Sequence, residues 1–128
     1  MNLEKKIKLS ETRTFQAVFP NTTNYYDILF GGTAMHLMDE VAFITTTHFT
    51  RKMCVTVSSD RIDFKKAIPA WIIIELIGSV SKTGNTGLDV KVYIYIEQMY
   101  SDIREKAITG NFTLVALDEN KKRSRILN

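Results

Sequence analysis

The feature that most constrains the fold is a helical stretch that is apolar around nearly its whole circumference. Residues 32–48 read GTAMHLMDEVAFITTTH. With about 100° between successive residues, six of them share one stripe: Ala34, Leu37, Met38, Val41, Ala42 and Thr45. Met35, Phe43 and Ile44 widen this stripe beyond the face of an ordinary amphipathic helix. Such a helix has to be covered on most sides.

Most of the remaining sequence has patterns typical of long β-strands. Strands are predicted for residues 11–19, 53–64, 71–82, 88–100 and about 105–117. Over residues 88–97, leucine, valine and isoleucine alternate with charged residues and tyrosine, as in a sheet with one buried face. Pro20 ends the first strand, and the turn SKTGNTG precedes Leu88.

One buried helix and five long strands, four of them consecutive, predict an α+β fold. In it, a five-stranded antiparallel sheet curls around one long central helix. The outer face of this sheet contains too many apolar residues to face water throughout. These are Trp71, Ile73, Ile77, Tyr93 and Tyr95. Part of the sheet or its edge is therefore expected to be an oligomer interface, with a homodimer as the simplest closure.

Length and composition indicate a single domain. The chain has 128 residues, of which 45% are hydrophobic, enough for one core and too few for two. Residues 1–10 and 119–128 are expected to be flexible termini. The net charge of +3 comes partly from basic clusters at residues 5–8 and 121–125, so no nucleic-acid partner is predicted.

The cysteine content and the hydropathy of the sequence limit where in the cell the chain is expected to function. Cys54 is the single cysteine, which excludes an intrachain disulfide and favours a reducing cytoplasm. No segment approaches the roughly 18 apolar residues of a membrane span. One cysteine and two separated histidines, His36 and His48, form no metal-ligand pattern, so no metal or cofactor is predicted.

The residues predicted to form the functional site lie in one segment, 24–39, which reads NYYDILFGGTAMHLMD. A glycine pair at a helix start leaves backbone N–H groups unpaired and partially positive. Two turns later Asp39 lies among apolar residues, where a carboxylate lacks its normal solvation. At the flank of the buried stripe it could reach a cleft. Together these residues predict an anion-stabilising site and a carboxylate of tunable basicity.

The order of elements and the motif N-x5-F-G-G-x2-M-x2-M-D resemble the hot-dog fold acyl-CoA thioesterases. The resemblance is to the small bacterial acyl-CoA hydrolases related to the cytosolic brain-type enzyme. It runs over almost the whole chain and includes CVTV at 54–57, RIDF at 61–64, GNT at 84–86 and FTLVALD at 112–118. It implies a cytoplasmic enzyme of lipid metabolism that hydrolyses acyl-CoA to a free acid and coenzyme A, with no cofactor beyond the CoA of its substrate.

The resemblance also implies catalytic roles. The Gly32 amide would receive the developing oxyanion, and Asp39 would act as general base or as nucleophile. Asn24 would hold the water or the thioester carbonyl, facing Asp39 of the other subunit of a dimer. Glu40, the neighbouring carboxylate, is expected on the polar side. Asp27 stands where relatives usually carry glycine, so the loop could follow another path or bring in a second charge.

Coenzyme A contacts follow from the same resemblance. The pantetheine and nucleotide are expected along two strand segments: Val57, Ser58 and Ser59, and Thr86, Gly87 and Leu88. Four cations are candidates for its phosphates: Arg61, Lys65, Lys66 and Lys82. The dimers could assemble further into tetramers or hexamers.

Two alternatives stay open. Because a fold does not fix a function, the chain could be a non-catalytic module that binds or senses acyl-CoA. A hydratase or dehydratase is disfavoured, since those enzymes resemble a motif with a histidine before the helix. Residues 21–27 here read NTTNYYD.

Overall fold

The computed structural model, which describes residues 2–127, contains one long helix wrapped by an antiparallel sheet. In chain order, the elements are α1 (Leu3–Ser10), β1 (Thr12–Val18), a 3-10 turn (Pro20–Thr22), α2 (Gly31–Thr50), β2 (Cys54–Phe64), β3 (Ile72–Thr83), β4 (Gly87–Glu97), β5 (Arg104–Leu117) and β6 (Arg123–Ser124). The predicted helix and the five predicted strands are all present, with boundaries that differ from the predicted ones by at most three residues.

Helix α2 is buried along the predicted stripe. Ala34, Met38, Val41, Ala42 and Thr45 are buried, and Leu37 is half-buried. The opposite flank is open in the single chain: Met35 is 37% and Phe43 48% exposed. The helix ends at Arg51, which adopts φ 55° and donates its amide to the carbonyl of Thr47, a common way for a chain to leave a helix.

The sheet has the strand order β1-β3-β4-β5-β2, and every pair is antiparallel. The alternation predicted for β4 is confirmed, since Leu88, Val90, Val92, Ile94 and Ile96 are all buried. Helix α2 lies directly on the backbone of β3. A Cβ atom at Gly78 would come within 2.7 Å of both the Val41 and the Thr45 side chains.

Strand β2 forms a free edge of the sheet. It pairs with β5 on one side, and every residue except Cys54 and Ile62 is exposed. Its apolar Val55 and Val57 therefore lie at the surface next to unpaired backbone groups. Exposed edges of this kind are templates for pairing with another chain.

Regular structure extends into the two segments for which flexible termini were expected. In α1, the Asn2 side chain caps the helix by accepting from the Lys5 amide at 2.8 Å, and Lys6 lies over the ring of Phe49. At the other end β6 pairs with β5, which makes the sheet six-stranded rather than five-stranded. Both segments are rich in charge, and their docking depends on tertiary contacts that local sequence does not reveal.

A buried carboxylate organises the outer face of the sheet. Glu75 is 6% exposed and forms ion pairs with Arg13 and Arg104. Burial acts to raise the pKa of Glu75, but the hydrogen bonds from Arg104 and Arg13 outweigh it and leave this pKa below its ordinary value. Arg104 also stacks 3.7 Å above the ring of Tyr95. Part of the apolar outer face noted in the sequence is therefore covered within the chain itself.

Candidate active site

The N-terminus of α2 is open to a ligand. Phe30 occupies the N-cap position without a capping side chain, and the first helical hydrogen bond runs from Ala34 N to Phe30 O at 3.0 Å. The amides of Gly31, Gly32 and Thr33 lie in the first turn, where intrahelical acceptors are missing. A Cβ at Gly32 would meet nothing within 4 Å. An anion can therefore approach this partially positive helix end closely.

Asn24 organises the loop that precedes this helix. Its side-chain Oδ1 accepts from the backbone amides of Tyr26 at 2.9 Å and Ile28 at 3.2 Å. Its backbone amide donates to the backbone carbonyl of Ile28 at 2.8 Å. The side-chain carbonyl thus has the turn-forming role common for asparagine. The Nδ2 group keeps two N–H donors with which it can bind a substrate.

The backbone explains why Asp27 can replace a glycine. Asp27 adopts φ 57°, in the left-handed region that favours glycine and that aspartate tolerates better than most residues. The turn is closed on both sides: the Asp27 amide donates to Asn24 O at 3.1 Å, and its carbonyl accepts from Ala70 N at 3.0 Å. The aspartate side chain is exposed.

Asn24 and Gly31 line an apolar cavity of about 360 Å³. Its walls come mainly from Ile28, Leu29, Ala34, Ile68 and Ile108. Lys66 also lines this cavity and forms an ion pair with Glu105. Of the four cations expected to contact phosphates, Lys66 is therefore placed apart from the other three.

Asp39 lies in a separate surface cleft, where a threonine holds it. The hydroxyl of Thr56 donates to Asp39 Oδ1 at 2.7 Å, and the side chain of Asp39 is half-buried. His36, Glu40, Phe43, Cys54 and Val55 complete the lining of this cleft. Asp39 thus reaches the surface and is not sealed in the core. Thr56 lies within the CVTV motif but is not among the site residues predicted from the sequence.

A single chain does not bring all the candidate catalytic groups together. Asn24 and Gly31 line one cavity, and Asp39 lines another. Gly32 and Asp39 are seven positions apart, which corresponds to about 10 Å along the axis of an α-helix. The start of the helix and the Asp39 carboxylate therefore face two different cavities of the single chain.

The residues expected to contact coenzyme A lie mainly along one groove. Val57, Thr86, Gly87 and Leu88 line it together with Lys82. The side chain of Leu88 is buried in the core, and its backbone lies between β3 and β5, opposite Thr83 and Leu114. Ser58 and Ser59 are exposed on β2 but do not line this groove.

A second groove of about 670 Å³ runs over the outer face of the sheet and is rich in cations. Arg61, Lys65 and Lys82 line it, and so do Lys91 and Lys106. Arg61 adopts φ 52° at an irregularity in the pairing of β2 with β5. Such bulges commonly redirect a side chain. Lys82 lines both grooves.

Within residues 2–127, no group of three or more His, Cys, Asp or Glu side chains is arranged to hold a metal ion. None of the helices in that part of the chain combines the length and apolar character needed to cross a bilayer.

A comparison with known protein families shows to which superfamily the chain belongs. The model of the thioesterase superfamily matches residues 26–102, so the chain belongs to this superfamily. An uncharacterized acyl-CoA thioester hydrolase of Bacillus subtilis, YkhA, is 37% identical over 105 residues, covering 82% of this chain and 61% of that protein. The chain thus spans about 61% of the length of this relative.

Solved structures support the same assignment. The acyl-CoA hydrolase of Staphylococcus aureus, solved with butyryl coenzyme A, coenzyme A and coenzyme A disulfide, superposes with a TM-score of 0.91 at 32% identity, covering 95% of this chain and 74% of that one. Variants of that enzyme with an asparagine, an aspartate or a threonine changed to alanine have also been solved. A hexameric acyl-CoA thioesterase matches with a TM-score of 0.90 at 30% identity, covering 93% and 76%. The fold is the hot-dog fold implied by the sequence.

Proposed function

We propose that this chain hydrolyses acyl-CoA thioesters to a free carboxylic acid and coenzyme A. The observation that carries the proposal is Asp39, a carboxylate held by Thr56 at 2.7 Å in an open cleft. Asn24, Asp39 and Thr56 follow one another with the same separations along the chain as the asparagine, aspartate and threonine replaced in the S. aureus variants. This correspondence supports a joint role for the three residues.

Asp39 would drive the attack on the thioester. As a general base it would take a proton from water while the water oxygen adds to the carbonyl carbon; the C–S bond then breaks and the CoA sulfur takes up the proton. As a nucleophile it would form an acyl anhydride that water later opens. Thr56 occupies one carboxylate oxygen and would orient the other toward the reacting atoms in either route.

The first turn of α2 and the amide of Asn24 would stabilise the charge that develops on the carbonyl oxygen. Gly32 is exposed, and a Cβ there would meet nothing within 4 Å, so a ligand could come close to this backbone; donors placed where negative charge develops commonly make the largest contribution to catalysis. Asn24 Nδ2 would donate to the same carbonyl or to the attacking water.

A homodimer would bring these groups together. If two antiparallel α2 helices meet at a two-fold axis near Met35 and His36, Gly32 of one copy lies opposite Asp39 of the other, because both are equally distant from the midpoint. The exposed Met35 and Phe43 and the free edge of β2 supply an apolar, pairing-competent surface for this contact. Further assembly of such dimers, as in the hexameric relative, is part of the proposal.

Coenzyme A would extend away from this site along the two grooves. Backbone groups of Val57–Ser59, on the edge strand β2, would pair with the pantetheine amides, as extended peptides pair with strand edges. Thr86, Gly87 and Leu88 would line the path of the pantetheine beside this edge. Arg61, Lys65 and Lys82 line the cation-rich groove and would meet the phosphates. A cytoplasmic location belongs to the same proposal and is supported by the single free, buried Cys54.

The test is free thiol release from a panel of acyl-CoAs of increasing chain length. We expect Asp39→Asn to lower kcat by about a hundredfold or more, as loss of a base or nucleophile does. Glu40→Gln should stay within about threefold, because Glu40, although it lines the same cleft, is exposed and exposed charges interact weakly with their neighbours. Asp102→Asn, in the exposed turn before β5, serves as the charge-matched control. Equal rates for Asp39→Asn and the wild type would remove Asp39 from the mechanism.

The second candidate is a module that binds acyl-CoA without hydrolysing it. The exposed groove lined by Val57, Thr86 and Gly87 would serve this function equally well. Tight binding of an acyl-CoA by calorimetry, together with no thiol release across the panel, would favour this candidate over the enzyme.

A further inference from the structure

The segment that follows β5 is folded back onto the sheet by specific contacts. In the turn before β6, Asp118 Oδ1 accepts from the amides of Asn120 at 2.8 Å and Lys122 at 3.0 Å. Beyond β6, Ile126 is 1% exposed, and its amide donates to the carbonyl of Asn85 at 3.1 Å. The segment is therefore attached both to β5 and to the turn between β3 and β4.

This path brings Arg123 to the groove lined by Thr86 and Gly87. Arg123 pairs with Leu117 across β5 and β6, and its side chain lines the groove together with Lys82. Among the described residues that line this groove, Asp89 is the single carboxylate, and it accepts a hydrogen bond from the hydroxyl of Thr113 at 2.7 Å. Two cations, Lys82 and Arg123, thus line the groove together with one carboxylate, Asp89, which already accepts a hydrogen bond.

The same groove continues into the cation-rich groove of the outer face. Lys82 and Asp89 line both, and Arg61 lies further along. Of the residues that the structure describes, five cations and three carboxylates, Asp60, Asp63 and Asp89, line the cation-rich groove. Arg123 therefore stands at one end of a surface on which positive side chains outnumber negative ones. An extended ligand with several phosphates at one end fits such a surface better than a neutral thioester does.

We propose that Arg123 is a specificity-determining residue that binds the phosphate end of coenzyme A and selects CoA thioesters over thioesters of pantetheine, which has no phosphates. This inference rests on the proposed function and adds to it a residue of the C-terminal segment. The position of Arg123 depends on how the C-terminal segment folds back onto β5.

The test compares Arg123→Gln with Arg125→Gln in the full chain. Both changes remove one positive charge from the same segment, but Arg125 is exposed and lines neither groove. Its contact with Lys52 uses the main-chain carbonyl, which the substitution leaves in place. kcat and KM are measured for an acyl-CoA and for the pantetheine thioester of the same acyl group.

We expect Arg123→Gln to raise KM for the acyl-CoA about fivefold, the upper end of what an ion pair at an exposed site such as this one contributes. Its kcat and its KM for the pantetheine thioester should match the wild type. Arg123→Lys should recover most of the affinity. Added salt should raise KM more in the wild type than in Arg123→Gln, because screening weakens the contact that the variant lacks.

Several outcomes would overturn the inference: an equal rise of KM for both substrates, or the same effect from Arg125→Gln. Calorimetric titration with coenzyme A and with pantetheine separates this proposal from the proposed hydrolysis. If no thioester is turned over but Arg123→Gln still weakens coenzyme A binding selectively, the inference stands without the enzyme. If turnover is intact and KM unchanged, the hydrolysis stands without Arg123. A wild-type chain that binds no coenzyme A would contradict the inference as well.

Discussion

Asp39 and Glu40 are adjacent carboxylates in different environments, and the difference arises from their positions on α2. Asp39 is half-buried beside the main stripe and meets Thr56 of β2, whereas Glu40 is exposed. The helical wheel predicted this distinction correctly, because the 3.6-residue period fixes which flank each side chain occupies. It could not predict Thr56, since the contact between α2 and β2 joins residues that are 17 positions apart.

The backbone of Asp27 gives a test of the loop that carries Asn24. Asp27 adopts φ 57°, in the left-handed region, where glycine has no Cβ penalty. Asp27→Gly should therefore raise the free energy of unfolding by about 0.5 kcal/mol. Asp27→Ala should lower it by about 1 kcal/mol for the opposite reason. Urea denaturation of both variants gives the sign. A stabilising alanine would show that this residue does not hold the left-handed conformation in solution.

Asn24 shows what sequence reasoning at a single position leaves open. The motif implies a catalytic role for Asn24, whereas the residues NTTN also suit an ordinary turn. The structure confirms the turn, because Oδ1 accepts two backbone amides, while the catalytic role stays a prediction. The two interpretations are compatible, since the oxygen and the nitrogen of one amide can serve different partners.

At the scale of the elements, two of the glycines in or next to α2 differ in whether they have room for a side chain: Gly32 lies in the helix, and Gly78 lies on β3 beneath it. Gly32→Ala should keep or slightly raise stability, because its Cβ meets nothing within 4 Å and alanine favours helix. Its hydrolytic activity should nevertheless fall about tenfold or more if the amide is the oxyanion donor, because the methyl group hinders close approach.

Gly78→Ala is the matched comparison. Its Cβ would come within 2.7 Å of Val41 and Thr45, so the helix would have to move away from β3 at a cost of about 2 kcal/mol. Thermal unfolding and thiol release measured on both variants separate packing from chemistry. A Gly32→Ala variant with full activity would remove Gly32 from the site.

The Glu75 network on β3 predicts a pH dependence of stability. Burial opposes the charge of Glu75, yet the hydrogen bonds from Arg104 and Arg13 leave its pKa lowered. A lowered folded-state pKa stabilises the fold above the unfolded-state pKa of about 4.3, and this stabilisation is lost as pH falls through the folded-state pKa. Glu75→Gln should therefore cost about 1–3 kcal/mol near pH 7, and less as the pH falls below about 4.

Denaturant unfolding of Glu75→Gln and wild type across this pH range measures the effect. Glu119→Gln removes an exposed carboxylate after β5 and provides the control, whose difference from wild type should stay small at every pH. A difference between Glu75→Gln and wild type that does not change with pH would contradict the ionic origin of the stabilisation.

The end elements show where sequence patterns were insufficient. The periods of α2 and β4 predicted those elements because each buries a face that repeats along the chain. In contrast, α1 reads LEKKIKLS, with few apolar residues, and β6 has two residues. Both are held by partners distant in sequence, such as Phe49 for α1 and β5 for β6. Local pattern therefore gave no basis for predicting them.

At the scale of the whole molecule, a single chain does not bring the proposed catalytic groups into one cavity. The apolar cavity beside Asn24 and the cleft of Asp39 lie on different parts of its surface, while the β2 edge and the flank of α2 are open. The sequence pattern indicated an oligomer from an excess of apolar surface. It placed much of that surface on the outer face of the sheet, whereas Arg104 and Lys106 cover Tyr95 and Tyr93 there.

Subunit mixing tests whether the catalytic groups are shared. Asn24→Ala and Asp39→Asn should each be nearly inactive alone. When the two variants are unfolded together and refolded at equal concentration, half of the dimers should contain one copy of each. Each mixed dimer then has one site with both residues intact, so about a quarter of the wild-type activity should return.

The control mixes Asp39→Asn with Thr56→Val. Asp39 and Thr56 hydrogen-bond within one chain, so every site in that mixed dimer lacks one of the two, and the activity should not exceed the mean of the separate variants. Thiol release and sedimentation are measured on both mixtures. If the Asn24→Ala and Asp39→Asn mixture also stays at its mean although mixed dimers form, each site draws Asn24 and Asp39 from the same chain. The two-fold arrangement about Met35 and His36 would then have to be abandoned.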